Sequence, residues 1–365
     1  MKLASKRTLG GLTLLIIVIF AMIPVAQLAL FAISPKDPAA QDSQSIEIHK
    51  GQSPNDITKS LNALGVIADS RNFLLLGKLT REWKGIKAGE YAVSSAMTPL
   101  EIFKSIRSGV SIAHPITVRE GENMYEVAAD LEANGLAHKD HVVDLERNRK
   151  FISTLGLDIP PATLEGFLFP DTYFFNKSMS AEDMIRQMVR HFKDSWTPDF
   201  TARARALNLT QFQVITLASM IEKETGAPQE RPMIASVFYN RLHKKMKLQS
   251  DPTTIYGMWE RYTGKVHVSD LQEKNDYNTY SVAALPIGPI SNPGTEAIKA
   301  TLYPSSSEFL FFVSHNDGTH EFTSSLADHN AAVRKFQLDP KAREGKSWRD
   351  LGKSPTALPS SPSAQ

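Results

Sequence analysis

The sequence predicts an α+β protein with a single N-terminal transmembrane helix, small strand-turn-helix modules and a larger, mainly helical domain with short β-hairpins. Three patterns support this fold class: an apolar N-terminal run, a strand-turn-helix motif that occurs twice, and helical periodicity through the second half. With 365 residues, the chain can form two or three compact units. A net charge of +2 predicts no nucleic-acid partner, and the lack of cysteine excludes thiol catalysis and disulfides.

The apolar N-terminal run covers residues 9–33 and follows the basic residues Lys2, Lys6 and Arg7. Its length suits a helix that crosses a bilayer, and the preceding positive charges place residues 1–8 in the cytoplasm. A cleaved signal peptide is the alternative, but its apolar core is usually only about 7 to 15 residues long. We therefore expect an uncleaved anchor in the inner (cytoplasmic) membrane, with the rest of the chain on its outer side.

Residues 34–45 have the composition of a spacer, and a strand-turn-helix pattern follows and returns seventy residues later. Ile46, Gly51 and Leu61 of the first copy correspond to Ile116, Gly121 and Leu131 of the second. Each copy resembles half of a LysM module, a small fold that binds the N-acetylglucosamine-containing strands of cell walls. A purely structural packing module explains the pattern equally well. We assign residues 46–155 to this LysM-like α+β region.

Residues 156–340 show the patterns of a mainly helical domain. Near its end, Asn316-Asp317-Gly318 lies between two apolar segments, which predicts a β-hairpin. Residues 341–365 are rich in Pro and Ser, and we expect a disordered tail there.

Two glutamates near the end of a predicted helix, Glu222 and Glu224, are candidates for acid-base chemistry. Glu224 continues the apolar stripe of Leu217 and Ile221, so it is expected where apolar packing meets an opening. A carboxyl in such surroundings keeps its proton longer than a solvated one, which suits a general acid. Residues two apart do not share a helix face, so at most one of the two can be central to a cleft. Periodicity favours Glu224 without deciding the matter.

Polar residues in the following segments are candidates for a binding site. Gln249 lies in a short polar segment, whereas Asp251 before Pro252 is also explained as a helix cap. Farther on, Asn292 lies in a loop rich in Pro and Gly, which is typical of a rigid corner or of a sugar subsite. His315, His320 and His329 do not have the spacing of a zinc motif, so we expect no metal and no cofactor.

These segments together resemble the endolytic murein transglycosylases, the YceG-like family of membrane-anchored cell-wall enzymes. The resemblance rests on residues 165–173, 221–225, 235–242, 248–253, 277–280 and 286–293. It implies that residues 156–340 form the catalytic domain and that Glu224, rather than Glu222, is the catalytic acid. Endolytic cleavage is implied by the resemblance alone.

The resemblance implies a lyase that cleaves the β-1,4 bond between N-acetylmuramic acid and N-acetylglucosamine in peptidoglycan and leaves 1,6-anhydro ends. Such an enzyme would terminate nascent strands, and wall synthases of the same membrane are plausible partners. Substrate-binding candidates are Gln249, Asp251, Tyr256, Asn278, Asn292 and Glu165. Two alternatives stay open: a muramidase that hydrolyses the same bond, with Asp251 or Glu165 placing a water, and a non-catalytic scaffold that binds peptidoglycan.

Overall fold

The computed structural model describes residues 3–157 and 161–339, and for residues 3–17 the backbone alone. Over these ranges the protein is mostly helical, and its strands form three separate two-stranded sheets. The predicted α+β class is therefore wrong. Each strand is only four or five residues long and pairs with a single neighbour, so no sheet is wide enough to form a layer.

The prediction of a transmembrane helix is also wrong for the described chain. No helix there is both long enough and apolar enough to cross a membrane. Helix α1 spans Leu3–Ile33 and contains Pro24. Its C-terminal end belongs to a folded core, because Ala32 is buried there and Leu28 and Phe31 pack against the same cluster. Apolar side chains in this part of the predicted span are thus engaged in tertiary packing.

The chain divides into two compact units, of which the first consists of residues up to 115 with residues 134–136 and 174–180. Its further elements are β1 (Gln44–Ile48), α2 (Pro54–Ala63), α3 (Ser70–Leu79), β2 (Gly89–Val93) and α4 (Pro99–Ser108). Strands β1 and β2 are antiparallel and bring the buried residues Ile46 and Tyr91 opposite each other. At the centre of this unit, Phe73 and Phe103 stack with ring centroids 4.4 Å apart.

Local sequence explains where the helices of the first unit begin. The side chain of Ser53 accepts a hydrogen bond from the backbone N–H of Asp56, and Pro54 takes the first helical position of α2. Helix α4 begins with a capping box, in which Thr98 and Glu101 exchange side-chain to backbone hydrogen bonds.

The second unit contains residues 116–133, 137–173 and 181 onward. Its helices are α5 (Met124–Ala133), α6 (Lys139–Glu146), α7 (Arg149–Ser153), α8 (Ala181–Ser195), α9 (Pro198–Ala206), α10 (Gln211–Glu224), α11 (Arg231–His243), α12 (Asp251–Gly257), α13 (Val268–Gln272), α14 (Thr295–Leu302) and α15 (Leu326–Val333). Strands β3 (His114–Thr117) and β4 (Thr172–Phe175) pair with each other. Helix α10 is buried from Val214 to Glu222 and packs against α11 and α14, so it forms the centre of this unit.

The repeated strand-turn-helix motif is present in both places. Gly51 and Gly121 have φ angles of 82° and 83°, a left-handed conformation that glycine adopts without steric cost. Leu61 and Leu131 are both fully buried on the helices that follow. The two copies thus share their local geometry, although one lies in each unit. A glycan-binding role for them, and the domain boundaries drawn from the sequence, stay predictions.

The predicted hairpin near the C-terminus is confirmed. Strands β5 (Phe311–Ser314) and β6 (His320–Thr323) are antiparallel. The turn between them places Asn316 and Gly318 at φ angles of 66° and 89°, which an Asn-Asp-Gly sequence accommodates. The predicted tail, residues 341–365, lies outside the described residues.

Candidate active site

Glu224 is the last residue of α10 and is half-buried. The helix stops there because Thr225 has an extended backbone. The carboxylate oxygen Oε1 accepts a hydrogen bond from the hydroxyl of Ser250, which directly precedes α12. Ser250 is itself fixed, because its backbone N–H donates to Oγ1 of Thr279 at 2.9 Å. The carboxyl group therefore has a neutral, well-positioned hydroxyl as its direct partner.

The surroundings of Glu224 raise the pKa of its carboxyl from 4.5 to about 7. Burial is the largest cause, because it disfavours the charged form. The hydrogen bond from Ser250 and the positive charge of Arg241 lower the pKa, while the negative charge of Asp251 raises it. The group is thus poised to hold or release a proton near neutral pH.

Arg241 is a buried cation close to this site, but its guanidinium donates hydrogen bonds to backbone carbonyls and not to Glu224. Its Nε donates to the carbonyl of Leu310 at 2.6 Å, and its Nη1 donates to the carbonyl of Leu248 at 2.7 Å. The guanidinium also lies over the ring of Phe311, 5.3 Å from its centroid. Arg241 therefore acts on Glu224 through its field, while its own hydrogen bonds connect α11 to the segments before α12 and β5.

Asp251 and Gln249 flank Ser250 in the chain, and Asp251 lies close enough to Glu224 for its negative charge to raise the pKa of that carboxyl. The Asp251 side chain is not the helix cap, because the N-cap position falls on Ser250 and Asp251 is the first helical residue. Its Oδ1 accepts a hydrogen bond from the hydroxyl of Tyr280 at 2.6 Å. Gln249 is exposed and has a φ angle of 52°, a strained value for a residue with a side chain.

Glu222 has a different environment from Glu224. Arg231 donates a hydrogen bond from its Nη2 to Oε1 of Glu222, and both side chains are almost fully buried. The other oxygen, Oε2, accepts from the backbone N–H of Gly294 at 3.0 Å. Burial raises the pKa of Glu222, whereas the Arg231 charge lowers it. Glu222 is therefore part of an internal ion pair that connects α10 to α11 and to the start of α14.

The loop after Glu224 is held by the C-terminal hairpin. The imidazole Nδ1 of His320 lies 2.8 Å from a carboxylate oxygen of Glu230, and the backbone N–H of His320 donates to the other oxygen at 3.0 Å. Within the loop, the N–H of Ala227 donates to Oγ1 of Thr225 at 2.9 Å. These contacts fix the course of the chain just beyond the candidate acid.

Glu165 and Tyr256, which sequence patterns also suggested as site residues, form a second cluster. Glu165 is fully buried and accepts hydrogen bonds from the backbone N–H of Met124, at 3.0 and 3.2 Å to its two oxygens. Burial raises the pKa of Glu165 to about 8, although hydrogen bonds from Met124, Tyr256 and Gly166 oppose the shift. Glu165 therefore lies at the N-terminus of α5, and burial outweighs the effect of these hydrogen bonds on its pKa.

Asn278 and Asn292 are buried and bonded within the protein. The Asn278 amide donates to the carbonyls of Asp270, Leu271 and Glu273, and its oxygen accepts from the hydroxyl of Thr254 at 3.0 Å. Asn292 accepts from the N–H of Leu168 at 3.0 Å and donates to the carbonyl of Glu122 at 2.9 Å. Both amides thus fix loops, and a direct contact with substrate stays a prediction for them.

Sequence reasoning missed Ser250 and Tyr280. Ser250 lies between Gln249 and Asp251, but nothing in the local pattern shows which side chain 26 residues away it contacts. Tyr280 lies two residues after Asn278, and its contact with Asp251 joins positions 29 apart. Only the closing of these loops in three dimensions brings them to Glu224.

Three cavities of about 520 to 590 Å³ lie in the described part of the second unit. Glu224 does not line any of the three. One of them, with a volume of about 570 Å³, is lined by Tyr125, Tyr256, Trp259 and Tyr277. The candidate acid is thus half-buried at the protein surface, and an aromatic cavity opens at the other end of α12, where Tyr256 and Gly257 lie.

The fold is mainly helical, and the site holds a carboxyl, that of Glu224, whose raised pKa suits the chemistry of an acid-base enzyme. Residues 46–335 match the sequence profile of the YceG-like family. The chain therefore belongs to the YceG-like family, which confirms the resemblance seen in its motifs.

Similar proteins include two that are named endolytic murein transglycosylase. The protein from Bacillus subtilis strain 168 is 32% identical over 324 residues, which cover 84% of this chain and 89% of that protein. The protein from Streptococcus pneumoniae strain D39 is 25% identical over 339 residues, covering 84% of this chain and 61% of that protein. The crystal structure of a YceG-like protein from Listeria monocytogenes is also similar, with a TM-score of 0.55 and 31% identity, covering 80% of this chain and all of that chain.

Proposed function

We propose that this protein is a lytic transglycosylase that cleaves the β-1,4 bond between N-acetylmuramic acid and N-acetylglucosamine in peptidoglycan. The observation that carries the proposal is the Glu224 carboxyl, whose pKa is raised to about 7 and whose direct partner is the neutral hydroxyl of Ser250. A group that is protonated part of the time at neutral pH can donate a proton and later accept one. The names of the relatives support murein as the substrate.

The reaction needs one protein carboxyl because the substrate supplies its own nucleophile. Protonated Glu224 donates its proton to the glycosidic oxygen, and the bond between that oxygen and the anomeric carbon of muramic acid breaks. The C6 hydroxyl of the same sugar then bonds to the anomeric carbon, and the Glu224 carboxylate accepts the hydroxyl proton. A 1,6-anhydro end and a free 4-hydroxyl result, and the carboxyl regains its starting state.

Residues around Glu224 tune this cycle. The Ser250 hydroxyl donates to the carboxylate form, which stabilises the state that forms after proton donation. Asp251 has the opposite effect and keeps the proton on Glu224 before the reaction. Burial raises the pKa most, and these two neighbours adjust it near the pH at which the group must both give and take a proton.

A hydrolytic muramidase is the second candidate, because Asp251 is a carboxylate close enough to affect Glu224 and could place a water. Mass spectrometry of products from uncrosslinked glycan strands separates the two reactions. We expect 1,6-anhydro-muramic ends. Reducing muramic ends would overturn the transglycosylase and support the hydrolase. The absence of any soluble product would support a binding scaffold instead.

We further propose that the enzyme works on the outer side of the cytoplasmic membrane, where its substrate is assembled, and terminates nascent strands beside the wall synthases. A test is crosslinking in living cells from a photoreactive residue introduced at an exposed position of the second unit, such as Val268. Capture of a synthase is the expected result, with an exposed position of the first unit, such as Val110, as the comparison. Equal or no capture from both positions would contradict the partnership.

A further inference from the structure

The cavity at the C-terminal end of α12 has aromatic walls. Tyr125 and Trp259 are parallel to within 13° with centroids 6.0 Å apart, and Tyr256 meets Tyr277 edge to face at 4.8 Å. Tyr125, Trp259 and Tyr277 are only half-buried, so parts of these rings face the cavity rather than the core. Its volume of about 570 Å³ is in the range of small-molecule sites.

Polar groups stand at the edges of these rings. Arg147 donates to the hydroxyl of Tyr125 at 2.5 Å and lies 5.3 Å from that ring's centroid. Glu260 and Arg261 are exposed and also line the cavity. Apolar faces with hydrogen-bonding groups around them match a pyranose ring, which has apolar C–H faces and a rim of hydroxyl groups.

Helix α12 connects this cavity to the candidate acid. Ser250, at the N-terminal end of α12, contacts Glu224, and Tyr256 lies near the other end. Five residues of helix rise separate Asp251 from Tyr256, roughly 8 Å along the axis. A polymer of linked sugar rings can reach both ends of so short a helix. Other ligands with flat faces would also stack on the rings, but only a polymer of linked sugar rings would bind at the cavity and at Glu224 at the same time.

We propose that the cavity lined by Tyr125, Tyr256, Trp259 and Tyr277 is a glycan subsite that binds a sugar ring of the strand held at Glu224. This inference rests on the proposed function and specifies where the strand extends beyond the reacting bond. Trp259 provides the largest ring face and Arg147 a polar contact. The subsite anchors the strand while the reaction takes place at the other end of α12.

The test measures binding of uncrosslinked glycan strands by calorimetry, with Glu224→Gln as the background so that strands stay intact. Adding Trp259→Ala should raise the dissociation constant about tenfold, which corresponds to about 1.4 kcal/mol for the lost aromatic contact. Trp259→Phe keeps a ring and should change it less than about threefold. Val268→Ala, an exposed apolar truncation outside the cavity, serves as the matched control and should have no effect.

A second measurement covers the case in which Trp259→Ala does not fold. Glycan should protect the tryptophan fluorescence of the Glu224→Gln protein from acrylamide quenching, and Trp259→Phe should remove that protection. Unchanged affinity in Trp259→Ala, unchanged protection in Trp259→Phe, or no glycan binding in any variant would overturn the subsite. Cleavage by Glu224→Gln would instead overturn the assignment of the acid, while the comparison of the Trp259 variants would still decide on the subsite.

Discussion

Glu222 and Glu224 lie two residues apart at the end of one helix, yet they have opposite surroundings. Glu222 accepts hydrogen bonds from the Arg231 guanidinium and the Gly294 backbone, deep in the protein. Glu224 is half-buried and accepts a hydrogen bond from the neutral Ser250 hydroxyl. An α-helix turns about 100° per residue, so side chains two positions apart point in nearly opposite directions.

The difference shows that a partner, rather than burial alone, decides what a buried carboxyl can do. Burial raises the pKa of both groups. At Glu222 the positive charge of Arg231 opposes the effect of burial on the pKa and stabilises the ionised form. Glu222 therefore serves as a structural group. No full positive charge bonds directly to Glu224 within the described chain, so its carboxyl keeps a pKa of about 7 and remains able to transfer a proton.

The largest effect expected from this contrast is the loss of glycan cleavage in Glu224→Gln. The amide cannot donate the proton, and loss of a general acid costs roughly 100- to 10,000-fold in rate. The variant should fold normally, because glutamine keeps an oxygen acceptor for the Ser250 hydroxyl. Product release from purified murein measures the rate, and thermal melting checks the fold. Full activity of a folded variant would refute the role of Glu224.

Glu222→Gln should have the opposite pattern, with a large loss of stability. It removes the charge that pairs with the buried Arg231, and breaking such a pair by removing one partner costs about 3 kcal/mol. Glu120, 3.5 Å from Arg231, compensates in part. Chemical denaturation should show the lower free energy of unfolding, whereas Glu120→Gln, which alters the more exposed carboxylate, should lose less. If Glu222→Gln had the same free energy of unfolding as the parent protein, the contrast between a structural Glu222 and an acidic Glu224 would be wrong.

A third buried carboxyl, Glu165, extends the comparison to pH. Its pKa is about 8 when folded and 4.5 ordinarily, so the folded state binds the proton more tightly. Stability is therefore highest at low pH in this window and falls as pH rises from about 5 to about 8. Glu165→Gln does not titrate. Over that range its free energy of unfolding should therefore fall by on the order of 2 kcal/mol less than that of the parent protein. Equal slopes in parent and variant would contradict the buried, protonated state.

The smallest effect is expected for Ser250→Ala. The Ser250 hydroxyl lowers the pKa of Glu224, so its removal should raise that pKa above about 7. Because the reaction begins with protonated Glu224, the decline in rate at alkaline pH should move to higher pH in the variant. The side chain makes no capping bond to α12, so stability should change little. A pH-rate profile with an unmoved alkaline limb would show that Ser250 does not tune the acid.

Much of this site followed from local patterns in the chain. The apolar stripe through Leu217 and Ile221 indicated the helix and favoured Glu224, and the Asn-Asp-Gly turn indicated the final hairpin. The helix and the hairpin could be predicted because both depend on the backbone and on residues a few positions apart. The repeated strand-turn-helix motif was likewise visible, since its glycines and apolar positions recur at equal spacing.

Other expectations failed because packing is decided at long range. Short strands that pair with a single neighbour look in sequence like members of a larger sheet, and this produced the wrong fold class. Apolarity by itself does not distinguish a membrane from a protein core, and Ala32 lies in a core. The amides of Asn278 and Asn292 hydrogen-bond within the protein, and a contact of either residue with substrate stays a prediction.

The sequence by itself determined that α10 forms, where it ends, and that the chain has the motifs of the YceG-like family, because capping, periodicity and motif spacing are local properties. Only the tertiary structure decided which glutamate has surroundings that suit an acid. Arg231 and Ser250 come from different elements, and the packing of α10 against α11 and α12 brings a charge to Glu222 and a hydroxyl to Glu224. A pKa depends on distances of a few ångströms, and those are set only when the helices meet.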